Sequence, residues 1–166
     1  MEGGAAFAHP FEGYWRDVGT PTSYWQAHQD LLGGDLLASL SDRAWPIRGG
    51  GGSRFPAFVT GTATVEDSLL APGCSVAGRV VRSVIGPGAQ VDEGAEVVDA
   101  VVLDAAVIGA GARVARAVVD PLAQIGPGAT VGGGARAGEL TVVGSGVVVP
   151  GGDRVPAGRE LARSSS

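Results

Sequence analysis

At residues 125–131 the chain reads Ile-Gly-Pro-Gly-Ala-Thr-Val, and the recurrence of this window decides the fold. The template has an aliphatic residue at each end, with glycine and a small residue between them. It returns at 70–76, 85–91 and 108–114. Val91, Ile108 and Ile125 stand 17 residues apart, so three hexads make one triangular coil. Such a period is typical of a parallel β-helix.

The repeat predicts a mainly β protein, a left-handed parallel β-helix of roughly five or six coils between Phe58 and Pro156. The left hand departs from the right-handed rule for parallel crossovers, because no crossover helix imposes that rule here. Glycine and proline suit the corners. The predicted core residues are Ile85, Val91, Ile108, Val114, Ile125 and Val131, and the predicted small corner residues are Cys74, Ala89, Ala112 and Ala129.

Composition narrows the classes of function. The net charge is −5, and the chain has no lysine and no basic cluster, which argues against a nucleic-acid partner. The sequence contains neither a signal-peptide pattern nor an apolar run of about 18 residues. We therefore expect no membrane partner and a cytoplasmic location. The single cysteine, Cys74, excludes an intramolecular disulfide.

The residues before the repeats predict a helix. Thr20 is a good N-cap, Pro21 suits the first helical position, and Gly33-Gly34 ends the helix. Residues 35–40 could add one short helical turn. Residues 48–54 read Arg-Gly-Gly-Gly-Gly-Ser-Arg. We interpret this run as a flexible linker and not as a phosphate-binding loop, because no Lys-Ser or Lys-Thr follows it.

Two stretches resemble a known family: Gly13-Tyr-Trp-Arg-Asp-Val-Gly-Thr20 and Tyr24-Trp-Gln-Ala-His-Gln-Asp-Leu-Leu32. They are similar to the end of the nucleotidyltransferase domain in bacterial ADP-glucose pyrophosphorylases (glucose-1-phosphate adenylyltransferases), and the resemblance continues through the repeats to Val149. It implies a helical remnant of that α/β domain at 1–47, a glycine-rich linker at 48–57, and a β-helix with a disordered tail at 58–166.

The resemblance implies synthesis of ADP-glucose from ATP and glucose 1-phosphate for glycogen formation, with carboxylates holding Mg²⁺. Asp17 matches one of the two metal-holding carboxylates of the family. The alternative is that Asp17 only stabilises the turn before Gly19. The nucleotide loop, catalytic arginine and sugar-phosphate lysine of the family have no counterpart in this chain. We therefore assign no catalytic residue and expect the chain to be inactive by itself.

The family's β-helix also helps to build a homo-oligomer and borders a site for anionic sugar-phosphate effectors. The resemblance therefore implies a second copy, or a nucleotidyltransferase-domain partner, and an anionic effector. Arginine suits such ligands because its planar fork pairs with phosphate oxygens. Pro121 stands where family members often carry a basic residue. The effector-binding candidates are Arg113, Arg116, Arg154, Arg159 and Arg163.

Three other functions stay open. Mannose-1-phosphate guanylyltransferases have a motif similar to that around Asp17. Hexapeptide-repeat acyltransferases use a histidine base, but His9 and His28 both precede the first repeat. A stand-alone structural module is the third.

The N-terminal region also carries aromatic residues that need a partner surface. In an intact α/β domain they would pack against its remainder, and without it they should form an exposed apolar surface. These residues are Phe7, Phe11, Tyr14, Trp15, Tyr24 and Trp25.

Overall fold

The computed structural model describes residues 7–34, 36, 44, 55–133 and 139–162. In these residues, helix α1 (Pro21–Leu31) precedes a parallel β-solenoid of six coils. The predicted mainly β class and the parallel solenoid are confirmed. The predicted linker at 48–54, most of the short turn at 35–40 and the tail at 163–166 lie outside the described residues. None of the described helices is long and apolar enough to span a membrane.

The strands, numbered in chain order, form three sheets of six, here called faces A, B and C. Face A contains β1 (Phe58–Val59), β4 (Ser75–Val76), β7 (Gln90–Val91), β10 (Val107–Ile108), β13 (Gln124–Ile125) and β16 (Val148–Val149). Face B contains β2 (Thr64–Glu66), β5 (Arg79–Val81), β8 (Glu96–Val98), β11 (Arg113–Ala115), β14 (Thr130–Gly132) and β17 (Arg154–Val155). Face C contains β3 (Leu69–Leu70), β6 (Val84–Ile85), β9 (Val101–Val102), β12 (Ala117–Val119), β15 (Thr141–Val143) and β18 (Glu160–Leu161).

The register between coils follows the sequence period. Ile108 pairs with Val91 on one side and with Ile125 on the other, at the 17-residue step. The first step is shorter, because Leu70 pairs with Ile85. One later step is longer: Ala117 pairs with Thr141. The hexad template did not predict this insertion, which falls between β14 and β15 and leaves the pairing of later strands intact.

The core is an aliphatic column along the solenoid axis. All six predicted core residues and all four predicted small corner residues are buried, as expected. Alternate residues of a strand point to opposite sides, so the strands after the first coil contribute their inward residues to this column. Burial of an aliphatic side chain contributes about 1.5–3 kcal/mol. The repeated inward positions therefore hold the coils in register.

In the first four coils, only one or two residues join the strand of face B to the strand of face C. In the first four coils one non-glycine residue there has a left-handed φ: Asp67 (44°), Arg82 (43°), Asp99 (50°) and Arg116 (48°). A side chain in this region costs about 1–2 kcal/mol, so surrounding contacts must hold it. The sequence pattern predicted glycine corners, as at Gly111 (67°), and did not predict this charged column.

Candidate functional site

Helix α1 packs on the outer surface of face C. Outward residues of that face are apolar at Val101 and Val118, which are buried together with Trp25 of the helix. Thr20 caps α1 in a capping box with Ser23, as the N-cap prediction required. The outward valines of face C thus form the docking surface of the helix.

Trp25 is the residue that fixes the helix in place, and it is 9% exposed. Its indole N–H donates to the backbone oxygen of Asp99 at 2.7 Å. The guanidinium of Arg116 lies 4.4 Å from the centroid of its ring, a cation–π distance. Asp99 in turn accepts two hydrogen bonds from Arg82, at 2.7 and 2.8 Å. The charged corner column is therefore the anchor of α1.

The six N-terminal aromatic residues were expected to form an exposed apolar surface. The structure contradicts this expectation for two of them and agrees with it for the other four. Without an α/β domain, Tyr24 and Trp25 were expected to be exposed, but they pack on the solenoid, because face C offers apolar outward residues. Phe7 and Trp15 are 92% and 77% exposed, and Phe11 and Tyr14 are exposed as well. Residues 7–18, called the aromatic segment below, thus keep an uncovered apolar surface.

Polar contacts tie the aromatic segment to α1. The carboxylate of Asp30 accepts a hydrogen bond from the Tyr14 hydroxyl at 2.7 Å and forms an ion pair with Arg16 at 2.6 Å. Arg16 also donates to the side chain of Gln26 at 3.1 Å. These contacts hold the aromatic segment next to α1.

Asp17, the predicted magnesium ligand, is exposed, and its carboxylate accepts the backbone N–H of Gly19 at 3.1 Å. This is the turn contact that the alternative interpretation predicted. No group of three or more metal-ligating side chains occurs in the part of the chain that the structure describes. Mg²⁺ is usually held by one or two carboxylates together with substrate phosphates, so the role of Asp17 as a metal ligand beside a larger domain stays a prediction.

The structure brings together two of the predicted effector arginines. Arg113 and Arg154 lie on face B on either side of Thr130, with which both are in register. They line a groove of about 250 Å³. Neither arginine has an ion pair within the described residues. We call this depression the arginine groove; Glu96, Val98, Thr130 and Gly132 also line it.

The other predicted arginines lie elsewhere. Arg116 stacks on Trp25 at the corner, and its Nε is buried without a hydrogen-bond partner among the described residues. Arg159 is exposed in the last coil and does not line the groove. Arg163 is outside the described residues. Sequence reasoning did not distinguish these positions because it lacked the register between coils.

A second groove, of about 390 Å³, runs between the start of α1 and face C. Tyr24, Asp120 and Glu160 line it. Burial raises the pKa of Asp120 above its usual range, and the negative charge of Glu160 raises it further. Burial, followed by the charge of Asp120, raises the pKa of Tyr24. This groove therefore disfavours added negative charge.

His28 and Cys74 both have structural roles in their surroundings. His28 donates from Nδ1 to the carbonyl of Tyr24 at 2.9 Å, and the two rings are 4.4 Å apart. Cys74 is buried in the solenoid core, and burial raises the pKa of its thiol. A raised pKa keeps a thiol protonated and unreactive.

Comparison with known proteins supports the interpretation of the repeat as a hexapeptide repeat. The family model described as GlmU-like, C-terminal hexapeptide matches residues 57–152. The chain belongs to this family.

Relatives with known names align with the C-terminal part of this GlmU-like hexapeptide chain. It is 44% identical over 102 residues to a glucose-1-phosphate adenylyltransferase of Bacillus cytotoxicus, covering 61% of the chain and 27% of that protein. Proteins of the same name from Bacillus thuringiensis and Bacillus mycoides are 43% identical over 102 residues, with the same coverage. The chain thus spans about a quarter of the length of the curated relatives it matches, 27%.

Proposed function

We propose that the chain serves as the β-solenoid part of a glucose-1-phosphate adenylyltransferase, which makes ADP-glucose from ATP and glucose 1-phosphate in the cytoplasm for glycogen synthesis. The observation that carries this proposal is the 44% identity to a protein of that name over 102 residues. The match covers 61% of the chain, and the proposed role requires no catalytic group from it.

The aromatic segment supports a role beside a larger domain. Phe7, Phe11 and Trp15 are exposed, although burial of one aromatic side chain contributes about 2–3 kcal/mol. The ion pair between Arg16 and Asp30 holds their backbone next to α1. A nucleotidyltransferase domain, on this chain's natural continuation or on a partner, would cover these rings, and a homo-oligomer would follow from the solenoid.

Within that proposal, Asp17 supplies one carboxylate for Mg²⁺ and the larger domain supplies the rest. These 166 residues contain no lysine and no glycine-rich loop followed by Lys-Ser or Lys-Thr. They therefore lack a recognisable triphosphate-binding motif. We expect the chain by itself to form no ADP-glucose, and we expect regulation by an anionic sugar phosphate in the assembled enzyme.

The test is to tag the chromosomal gene at the end that encodes Ser166 and to purify the tagged species from its native cells. With ATP, glucose 1-phosphate and Mg²⁺, that species should release pyrophosphate and form ADP-glucose, whereas the 166-residue chain alone should not. GTP with mannose 1-phosphate tests the guanylyltransferase alternative. Faster turnover of GTP and mannose 1-phosphate than of ATP and glucose 1-phosphate would overturn the proposal.

A further inference from the structure

Arg16 joins the aromatic segment to two residues of α1 that are one helical turn apart. Its guanidinium forms an ion pair with Asp30 at 2.6 Å and donates to the side-chain oxygen of Gln26 at 3.1 Å. The Tyr14 hydroxyl closes the network, because it accepts from Nε of Arg16 at 3.1 Å and donates to Asp30 at 2.7 Å. Residues four apart lie on the same side of a helix. All three nitrogens of the planar guanidinium therefore have a partner, and together these partners fix its orientation.

The contacts of residues 14–17 alternate between α1 and solvent. Tyr14 and Arg16 contact α1, whereas Trp15 is 77% exposed and Asp17 is exposed as well. Successive side chains of an extended backbone point to opposite sides, and the contacts follow that alternation. Fixing Arg16 on α1 therefore directs Trp15 and Asp17 away from the helix.

The chain is fixed again directly after Asp17. The carboxylate of Asp17 accepts the N–H of Gly19 at 3.1 Å, and a Cβ on Gly19 would lie only 3.3 Å from both carboxylate oxygens. Thr20 then begins α1 through its capping box with Ser23. Only three residues separate Arg16 from Thr20. The backbone of Asp17 thus lies between two points that are both held by the same helix.

We infer that Asp30 and Gln26 are positioning residues for Asp17. Through Arg16 they fix the backbone that presents the carboxylate of Asp17 on the outward side of the aromatic segment. The inference rests on the proposed function, in which that carboxylate supplies one ligand for Mg²⁺. Neither Asp30 nor Gln26 touches the metal in this role, so neither is a catalytic residue. Loss of a group that orients a metal ligand typically lowers metal affinity or activity by about 10–100-fold.

The ordering of Asp17 is tested first in the 166-residue chain, where it requires neither activity nor metal. ¹⁵N relaxation, at a concentration where the chain sediments as one species, gives the order parameters of the Asp17 and Gly19 amides. They should be about 0.85 in the parent and fall below about 0.6 in Asp30→Ala, with a smaller fall in Gln26→Ala. The amides of α1 should stay ordered in both variants, which separates this effect from melting of the helix.

Glu12→Ala is the matched control for charge. Glu12 is an exposed carboxylate of the same segment and has no ion pair in the described part of the chain. Its replacement should leave the order parameters of Asp17 and Gly19 unchanged.

The consequence for Mg²⁺ is tested in the tagged species purified from native cells. Asp30→Ala should raise the Mg²⁺ concentration for half-maximal ADP-glucose formation at least about ten-fold. The KM for glucose 1-phosphate at saturating Mg²⁺ should change less than about two-fold, since the change acts on the metal ligand and not on the sugar. Asp30→Glu keeps a carboxylate and should restore most of the affinity for Mg²⁺.

Each outcome decides the inference separately from the proposed function. Ordered Asp17 and Gly19 amides in Asp30→Ala would overturn the inference whatever the activity, and so would an unchanged Mg²⁺ requirement in an active variant. A parent species that makes no ADP-glucose would contradict the proposed function and not the ordering of Asp17, which the order parameters decide.

Discussion

Trp25 is the residue on which the docking of α1 depends. It buries its ring against Val101 and Val118, donates to the oxygen of Asp99, and receives Arg116 on its ring face. Three kinds of interaction thus meet at one side chain. The sequence predicted the helix and an apolar surface that includes Trp25, but not that Trp25 would pack on the solenoid.

Replacing Trp25 with phenylalanine should loosen the helix without unfolding the solenoid. The variant keeps a ring but loses the hydrogen bond to Asp99 and part of the cation–π contact, at a cost of about 1–2 kcal/mol. Amide hydrogen exchange in α1 should accordingly become about ten-fold faster. Trp15→Phe is the matched control, because Trp15 is exposed. Equal exchange in the two variants would contradict this role.

Asp120 should make the protein less stable as the pH rises. Its pKa is raised in the folded protein by burial and by Glu160. The folded state therefore binds more protons than the unfolded state between the ordinary aspartate pKa of 3.8 and the raised value. Stability contributed by the protonated form is present below that window and is lost as the pH rises through it.

Asp120→Asn removes this dependence. At pH 7 the variant should have a Tm higher by about 1–2 °C, a small gain because the group is partly exposed and screened. At about pH 3, below the ordinary pKa, the two Tm values should coincide. Asp153→Asn, at an exposed position, is the control. A constant difference in Tm at all pH values would show that Asp120 acts through packing.

At the scale of elements, glycine is required for two different reasons. At some positions a Cβ would collide with the next coil, and at others the backbone has a positive φ. A Cβ on Gly109 would lie 2.8 Å from the nitrogen of Pro127 in the next coil and 2.9 Å from the oxygen of Ile125. Gly111 has a φ of 67° and open space around it, and Gly61 has open space as well.

Alanine at these three positions should therefore give graded losses of stability. We expect Gly109→Ala to cost about 2–3 kcal/mol, because backbone atoms have to move. Gly111→Ala should cost about 1 kcal/mol for the left-handed φ, and Gly61→Ala about zero. Urea unfolding followed by circular dichroism measures the series. If Gly61→Ala proved the most damaging, the assigned coil spacing would be wrong.

Most of the solenoid could be predicted from the repeat, because the inward-facing aliphatic residue can be recognised in each hexad. Ile108 and Ile125 identified the coil length before any strand pairing was known. The insertion before Thr141 could not be predicted, since the hexads on either side of a corner loop have the same pattern with or without it. The arginine groove was only partly predictable: Arg113 and Arg154 were both named, but their meeting across Thr130 depends on that insertion.

For the whole molecule, the aromatic segment predicts association of the isolated chain. Phe11 is 68% exposed beside Phe7 and Trp15 on a segment that Arg16 holds in place. Apolar surface of this kind drives association in water. Sedimentation velocity should show a weight-average mass that rises with protein concentration.

A variant with Phe7, Phe11 and Trp15 all changed to serine should sediment as a smaller species at the same concentration. A matched variant with Gln90, Gln124 and Ser75 of face A changed to alanine should associate as the parent does. A parent chain that stays monomeric at high concentration would contradict this view of the segment.

The most direct measurement is ADP-glucose formation by the tagged species from native cells, compared between the parent and a chromosomal Asp17→Asn variant. We predict that the parent species makes ADP-glucose and that the variant loses at least about 100-fold in turnover while its assembly stays intact. A purified parent species that makes no ADP-glucose would contradict the account.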